Sequence, residues 1–333
     1  MVKNKLSGET LSFFLVAIIS FYFKPSSAQV SNDLSLLWGK NEITVVITDS
    51  GLGGLSVMDD IAKKMKVSGC FEKVNLIFAN ALFDANTGYN SLQTREEKIN
   101  VLNNVLKGIE EHYKPDVIFI ACNTLSVIYK ETDFVRKSKI PVIGIVEPGV
   151  QMIREKLEKD VTSNVIILGT ETTIEEDSHK KDLLRLNIAG SRIITKACPQ
   201  LQSYIEQNPN GEETEMLISV YLNEALDELP ENHGAVFLSL NCSHFGYSAD
   251  LWKKAFTATP HKLGGILDPN LIMADILMDH KYRNRFPDTK ISFLIVSKVE
   301  LLNKKPIFNI FREKAPELAE ALQNWRIIPG LFK

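Results

Sequence analysis

No sign of charge dominates this chain. Its 38 lysines and arginines stand against 41 aspartates and glutamates, a formal net charge of -3, and the two signs are mixed along the sequence. A protein that grips nucleic acid or a membrane surface carries a basic field, so neither partner is expected. Cysteine is scarce, at four in 333 residues, with no CxxC pair and no cysteine-histidine cluster at zinc spacing, so no metal site is expected. Long apolar runs are missing too: the stretch Leu11–Phe23 covers 13 residues, short of the ~20 that a membrane-spanning helix needs.

That short stretch has an informative setting. Lys3 and Lys5 precede it and Ser26-Ser27-Ala28 follows it, the layout of a secretory signal peptide over 1–28. Cleavage before Gln29 and export to the periplasm are the expectations, with no stable membrane span in the mature chain. An even cysteine count in an oxidising compartment first suggests two disulfides among Cys70, Cys122, Cys198 and Cys242. A chain of this length, 44% hydrophobic, buries enough core to be stable without them.

Beyond the leader, one grammar recurs. Ile43–Thr48 is a β-branched run that ends in a glycine turn, Asp49 to Gly54, before a helical pattern from Leu55. Val74–Phe78, Val117–Ala121, Val142–Val146, Val165–Leu168 and Val236–Leu240 read as further buried strands, alternating with helical segments such as Arg95–Tyr113 and Gly149–Leu157. That alternation predicts an α/β architecture with largely parallel sheets. Asp49 to Cys122 and Gly169 to Cys242 are both intervals of 73 positions, an internal echo that points to two similar halves. The expected division is a first α/β domain from 42–141 plus 265–333 and a second from 142–264. A C-terminal amphipathic helix, Phe311–Trp325, is expected to cover the first domain, which the chain rejoins near Asp268.

Two cysteines carry the chemistry. Cys122 and Cys242 each follow a strand, at the carboxyl edge where α/β sheets bind ligands. Two thiols facing one another suit two-base proton transfer: one thiolate removes a substrate proton, and the opposite thiol returns one on the other face. A free thiol is mostly protonated at neutral pH, so each needs local help from a charge or a base. Asp49 and His244 are the candidates, and Asn123-Thr124 and Asn241-Cys242-Ser243 supply donors for a small zwitterion. A buried cysteine after a strand also serves as a small core hydrophobe, the role expected of Cys198, while Cys70 is expected to have no role.

These segments resemble a known family. Thr48–Leu55 (TDSGLGGL) is similar to the opening of glutamate racemases, Ala121–Thr124 (ACNT) to their first catalytic segment, and Pro141–Gly149 (PVIGIVEPG) to the stretch that follows. Gly169-Thr170, Ala197-Cys198-Pro199 and Asn241–His244 (NCSH) resemble the corresponding segments of the second half. The resemblance implies two pseudo-symmetric α/β domains with the active site in the cleft between them, an amino-acid substrate, no cofactor, no metal and a homodimer. It further implies Cys122 and Cys242 as the acid/base pair, Asp49, Glu206 and His244 assisting, and Ser50, Asn123, Thr124 and Ser243 holding substrate. The family's substrate-binding segment is replaced here by Ala79–Asn90, with Asn80 in place of an aspartate; Tyr89 and Asn90 are its binding candidates. Two alternatives stay open: a related isomerase or hydantoin racemase of the same fold, and an exported small-acid binding protein without turnover.

Overall fold

A computed structural model describes residues 34–333 apart from 86 and 303; the expected signal segment lies outside the described residues. Ten strands form two sheets: β1 (Glu42–Asp49), β2 (Lys73–Asn80), β3 (Val117–Ile120), β4 (Val142–Gly144), β5 (Asn164–Gly169), β6 (Ile193–Ala197), β7 (Val236–Asn241), β8 (Leu263–Leu267), β9 (Lys290–Ser297) and β10 (Arg326–Ile327). The first sheet has the order β10-β9-β2-β1-β3-β4 and the second β6-β5-β7-β8. Every pairing is parallel. The blocks β2-β1-β3-β4 and β6-β5-β7-β8 repeat one connectivity, so β1 corresponds to β5 and β3 to β7. The 73-residue echo is that correspondence, because Asp49 and Gly169 end equivalent strands and both cysteines leave equivalent strands.

Alternation along each strand builds the layers. In β1, Ile43, Val45 and Ile47 enter one core with the helix Leu55–Ser68, while Val46 is buried on the other face. A strand covered on both faces reads as the continuous apolar run seen in the sequence. In β5, Ile166 and Leu168 pack toward helices Leu201–Gln207, Glu212–Leu226 and Ala249–Thr257, and Val165 and Ile167 toward Val146–Lys159 and Ser178–Arg185.

Each sheet with its helices is one lobe, and strand membership changes from one sheet to the other near the expected boundaries. β4 pairs with β3 (Ile118↔Val142 to Ile120↔Gly144), so the first sheet extends to Gly144. The next helix, Val146–Lys159, starts before the expected Gly149; Pro148 sits in its first turn, where a missing N–H costs no helical bond. At the second crossing, β8 belongs to the second sheet through Leu267. Its Gly264-Gly265 pair lies against the Phe237 ring beside a register shift, with Gly265 at φ +147°, which hides the strand from a propensity reading. The C-terminal segment is two helices, Lys304–Lys314 and Pro316–Gln323, broken at Ala315, whose φ of -152° and ψ of 65° suit a residue before proline. Ile307, Phe311, Leu318, Ala319 and Leu322 cover the first sheet's core. Among the described residues, no helix is long and apolar enough to cross a membrane.

Gly108 sits inside the helix Arg95–Tyr113, where glycine ordinarily costs helix stability. A Cβ there would stand 1.9 Å from the Leu331 carbonyl oxygen, because the C-terminal segment crosses the helix at that point. Gly108→Ala is therefore expected to destabilise, by about 1–3 kcal/mol, against the stabilising sign usual for such a change; thermal denaturation monitored by circular dichroism checks it.

Candidate active site

The first lobe offers a carboxylate and a thiol from neighbouring strands. Asp49 ends β1 and is fully buried, and Cys122 stands two positions past the end of β3, which pairs with β1. Asp49 Oδ1 accepts the Gly51 N–H at 3.0 Å, and the Ser243 side chain of the second lobe approaches the same carboxyl and favours its charged form. The Cys122 sulfur lies 3.2 Å from Ser50 Oγ. Asn123 is 2% exposed, with both amide atoms unpartnered. Such a group is costly in an empty interior, and a bound polar ligand would satisfy it. Thr124 Oγ1 meets Thr170 Oγ1 of the second lobe at 2.9 Å.

The second lobe answers with three groups. Cys242 follows β7, and its sulfur is 3.8 Å from His244 Nδ1. His244 Nε2 lies 2.6 Å from Glu206 Oε1, and the same oxygen accepts the Leu52 N–H at 2.8 Å. Glu206 thus orients the imidazole and ties it to the turn after Asp49. The glycines of that turn permit the approach: a Cβ on Gly51 would come 2.6 Å from His244 Cε1, and one on Gly53 would come 2.3 Å from Ser243 Oγ.

Electrostatics differ between the two sides. Burial pushes the Cys122 thiol up to about 12, with the neighbouring Asp49 adding to the effect and Ser50 opposing it. Burial also raises Asp49, against the pull of His244. His244 goes the other way from a simple buried imidazole. Burial disfavours its charge, yet Glu206 and the Cys242 sulfur outweigh that cost and hold it well above the ordinary histidine range. Glu206 pays for burial as well, but His244 beside it keeps its carboxyl below the usual value. These shifts favour a protonated thiol on the Cys122 side and a charged imidazolium-carboxylate pair next to Cys242.

These groups share one cavity of about 620 Å³ between the lobes. Cys122, Cys242, Asp49, His244, Glu206, Ser50, Tyr89, Asn123, Thr124 and Ser243 all line it. Tyr89 is buried against the edge of Phe83, with its hydroxyl unpartnered. Asn90 lies in the turn Tyr89–Ser91, and its side chain is outside what the structure describes. Asn241 is buried without a partner and is not one of the cleft residues. Asn80 also lines the cavity and locks the loops around it, donating to the Gly51 carbonyl and accepting the Leu82 N–H, each at 2.8 Å. Cys70 and Cys198 belong to the two cores. All four cysteines are free and buried. Sequence reasoning missed the bridging role of Thr170, whose glycine-threonine motif was visible, and of Tyr247 and Asn270, which no motif marks: the Tyr247 hydroxyl donates to the Leu52 carbonyl and Asn270 Nδ2 to Ser56 Oγ.

Comparison with known proteins places this geometry. The Asp/Glu/Hydantoin racemase family profile matches residues 54–256. The glutamate racemase of Aquifex aeolicus (strain VF5) is 28% identical over 204 residues, covering 60% of this chain and 70% of the relative. That of Sulfurihydrogenibium sp. (strain YO3AOP1) is 32% identical over 200 residues, with the same coverage of 60% and 70%. In fold, the chain is similar to glutamate racemase from Francisella tularensis subsp. tularensis SCHU S4, solved in complex with D-glutamate, at a TM-score of 0.61 and 21% identity over 86% of this chain and 97% of that one. The Bacillus anthracis isoform RacE1 gives a TM-score of 0.63 at 18% identity, covering 82% and 95%. With its profile match spanning most of both lobes and its two cysteines on equivalent strands, the chain belongs to the Asp/Glu/Hydantoin racemase family.

Proposed function

We propose that this protein is a cofactor-independent amino-acid racemase that moves a proton at Cα with Cys122 and Cys242. The observation that carries the reading is the pairing of each thiol with its own assisting acid/base group, Asp49 on one side and His244-Glu206 on the other, around one cleft. A thiolate on one side takes the Cα proton, and the electron pair left on carbon delocalises into the α-carboxylate. The thiol on the opposite side then gives its proton to the other face, so configuration inverts and the two sulfurs exchange protonation states. Ser50, Asn123, Thr124 and Ser243 supply donors to the α-carboxylate as its charge grows, the stage at which preorganised donors act most strongly. The relatives' common name, glutamate racemase, supports an acidic amino acid, glutamate or aspartate, as substrate.

We also propose that the chain is exported. The support is the sequence alone: Lys3 and Lys5, the apolar Leu11–Phe23 and the small residues Ser26 and Ala28.

Deuterium exchange at Cα, followed by NMR alongside loss of optical rotation on a panel of L- and D-amino acids, tests the reaction. Glutamate or aspartate is expected to exchange and racemise, and Cys122→Ala and Cys242→Ala are each expected to lower the rate by about 10²–10⁴-fold; a folded, reduced protein that exchanges nothing overturns the proposal. Asp49→Asn separates charge from catalysis. Loss of the negative charge is expected to shift alkylation of Cys122 by iodoacetamide, read by mass spectrometry against pH, toward lower pH while turnover falls. For export, N-terminal sequencing of protein recovered from the periplasmic fraction is expected to begin at Gln29; cytoplasmic protein that retains Met1 counts against it.

A further inference from the structure

The two thiols sit on different lobes, and two-base transfer requires them to address opposite faces of one carbon at once. Something must hold the lobes in register. Helices touch across the lobes, Lys304–Lys314 against Leu201–Gln207 and Asn123–Ser126 against Glu171–Glu175, but those contacts do not tie the Cys242 loop to the turn after Asp49. Two side chains outside the reacting set do.

Tyr247 lies in the short turn Phe245–Ser248, directly after His244. Its hydroxyl donates toward two first-lobe carbonyls, Leu52 at 2.9 Å and Gly53 at 3.2 Å. Its ring packs against the hydrophobic clusters of both lobes and stands edge-on to Phe311, with ring centroids 6.1 Å apart. Asn270, 1% exposed, occupies the turn Pro269–Leu271 where the chain returns to the first lobe. One amide nitrogen serves both sides, donating to the Ser243 carbonyl at 2.8 Å and to Ser56 Oγ at 2.9 Å. Each residue therefore grips the Cys242 loop and the Asp49–Ser56 segment together, at points on either side of His244.

We infer that Tyr247 and Asn270 are positioning residues that hold the Cys242 loop in register with the Asp49–Ser56 segment, and so set the two thiols against opposite faces of the substrate carbon. This rests on the two-thiol reading above. Neither residue lines the cleft, so neither touches substrate. A small slip between the lobes leaves each thiol intact but spoils the delivery of the second proton, and misplacement on the ångström scale costs up to about 10²-fold in rate.

The test compares inversion with exchange. In wild type, a proton lost to one thiol is replaced from the other. With the register loosened, the first thiol still removes the proton, its own proton exchanges with solvent, and the carbanion is reprotonated on the face it came from. Tyr247→Phe, which keeps the ring, and Asn270→Ala are expected to lower kcat for racemisation by about tenfold with little change in KM. Both are also expected to raise the ratio of deuterium incorporation to inversion. A purely structural role would lower exchange and inversion together, in proportion to the folded fraction, and leave the ratio at the wild-type value; that result overturns the inference. Should wild type exchange no amino acid, the racemase proposal fails separately, and register is read by cross-linking Cys122 to Cys242 with bis-thiol reagents of graded length. Cys70 and Cys198 are fully buried in the cores and do not compete. A yield that peaks at one spacer in wild type and shifts or broadens in Tyr247→Phe supports the positioning role, and identical profiles overturn it.

Discussion

One carboxylate oxygen holds the site together. Glu206 Oε1 accepts from His244 on its own lobe and from the Leu52 backbone on the other, at 2.6 and 2.8 Å. A single acceptor shared by two lobes makes the protonation of the histidine and the closeness of the lobes one problem rather than two. The negative charge that keeps His244 protonated also anchors the turn that carries Asp49. Only glycine at positions 51 and 53 lets that turn come near enough, which gives the DSGLGG motif a steric reason beyond its shape.

Around this anchor a nearly symmetric scaffold carries an unsymmetric field. Equivalent strands deliver Cys122 and Cys242 to equivalent places, yet one sulfur faces a buried carboxyl and the other an imidazolium. A racemase must run both ways between mirror-image substrates, and mirror-image chemistry does not demand mirror-image supports. Each side needs only a route for one proton. On one side a neighbouring acid can receive or return it, and on the other the histidine holds it beside the sulfur.

The strands that carry chemistry were legible because burial on both faces makes them uninterrupted β-branched runs, and because polar residues break those runs where the cleft begins. Thr48-Asp49 and Asn123-Thr124, directly after Cys122, are such breaks. Glu206 is legible only through the family resemblance, since nothing local distinguishes it from an acid at a helix end; its partners lie 38 and 154 positions away. Tyr247 and Asn270 were illegible for the same reason. Their hydrogen bonds go to backbone carbonyls and a hydroxyl up to 214 positions distant, and a carbonyl carries no residue-type signal. β8 was hidden by its glycines, and the break at Ala315-Pro316 was overlooked although its cause is local.

The first sheet is not finished until late in the chain. β9 pairs with β2 along its full length, from Lys73↔Lys290 to Asn80↔Ser297, and the helices after it close the core beneath. The second sheet, from β5 to β8, is complete by Leu267. During synthesis from the N-terminus, the middle of the protein can therefore fold while both flanking pieces of its neighbour are still waiting for each other. Until β9 arrives, β2 presents an open strand edge of eight residues, the kind of surface that recruits stray strands. Truncation before Lys290 therefore leaves that edge of the first sheet uncovered while the second sheet keeps all four of its strands.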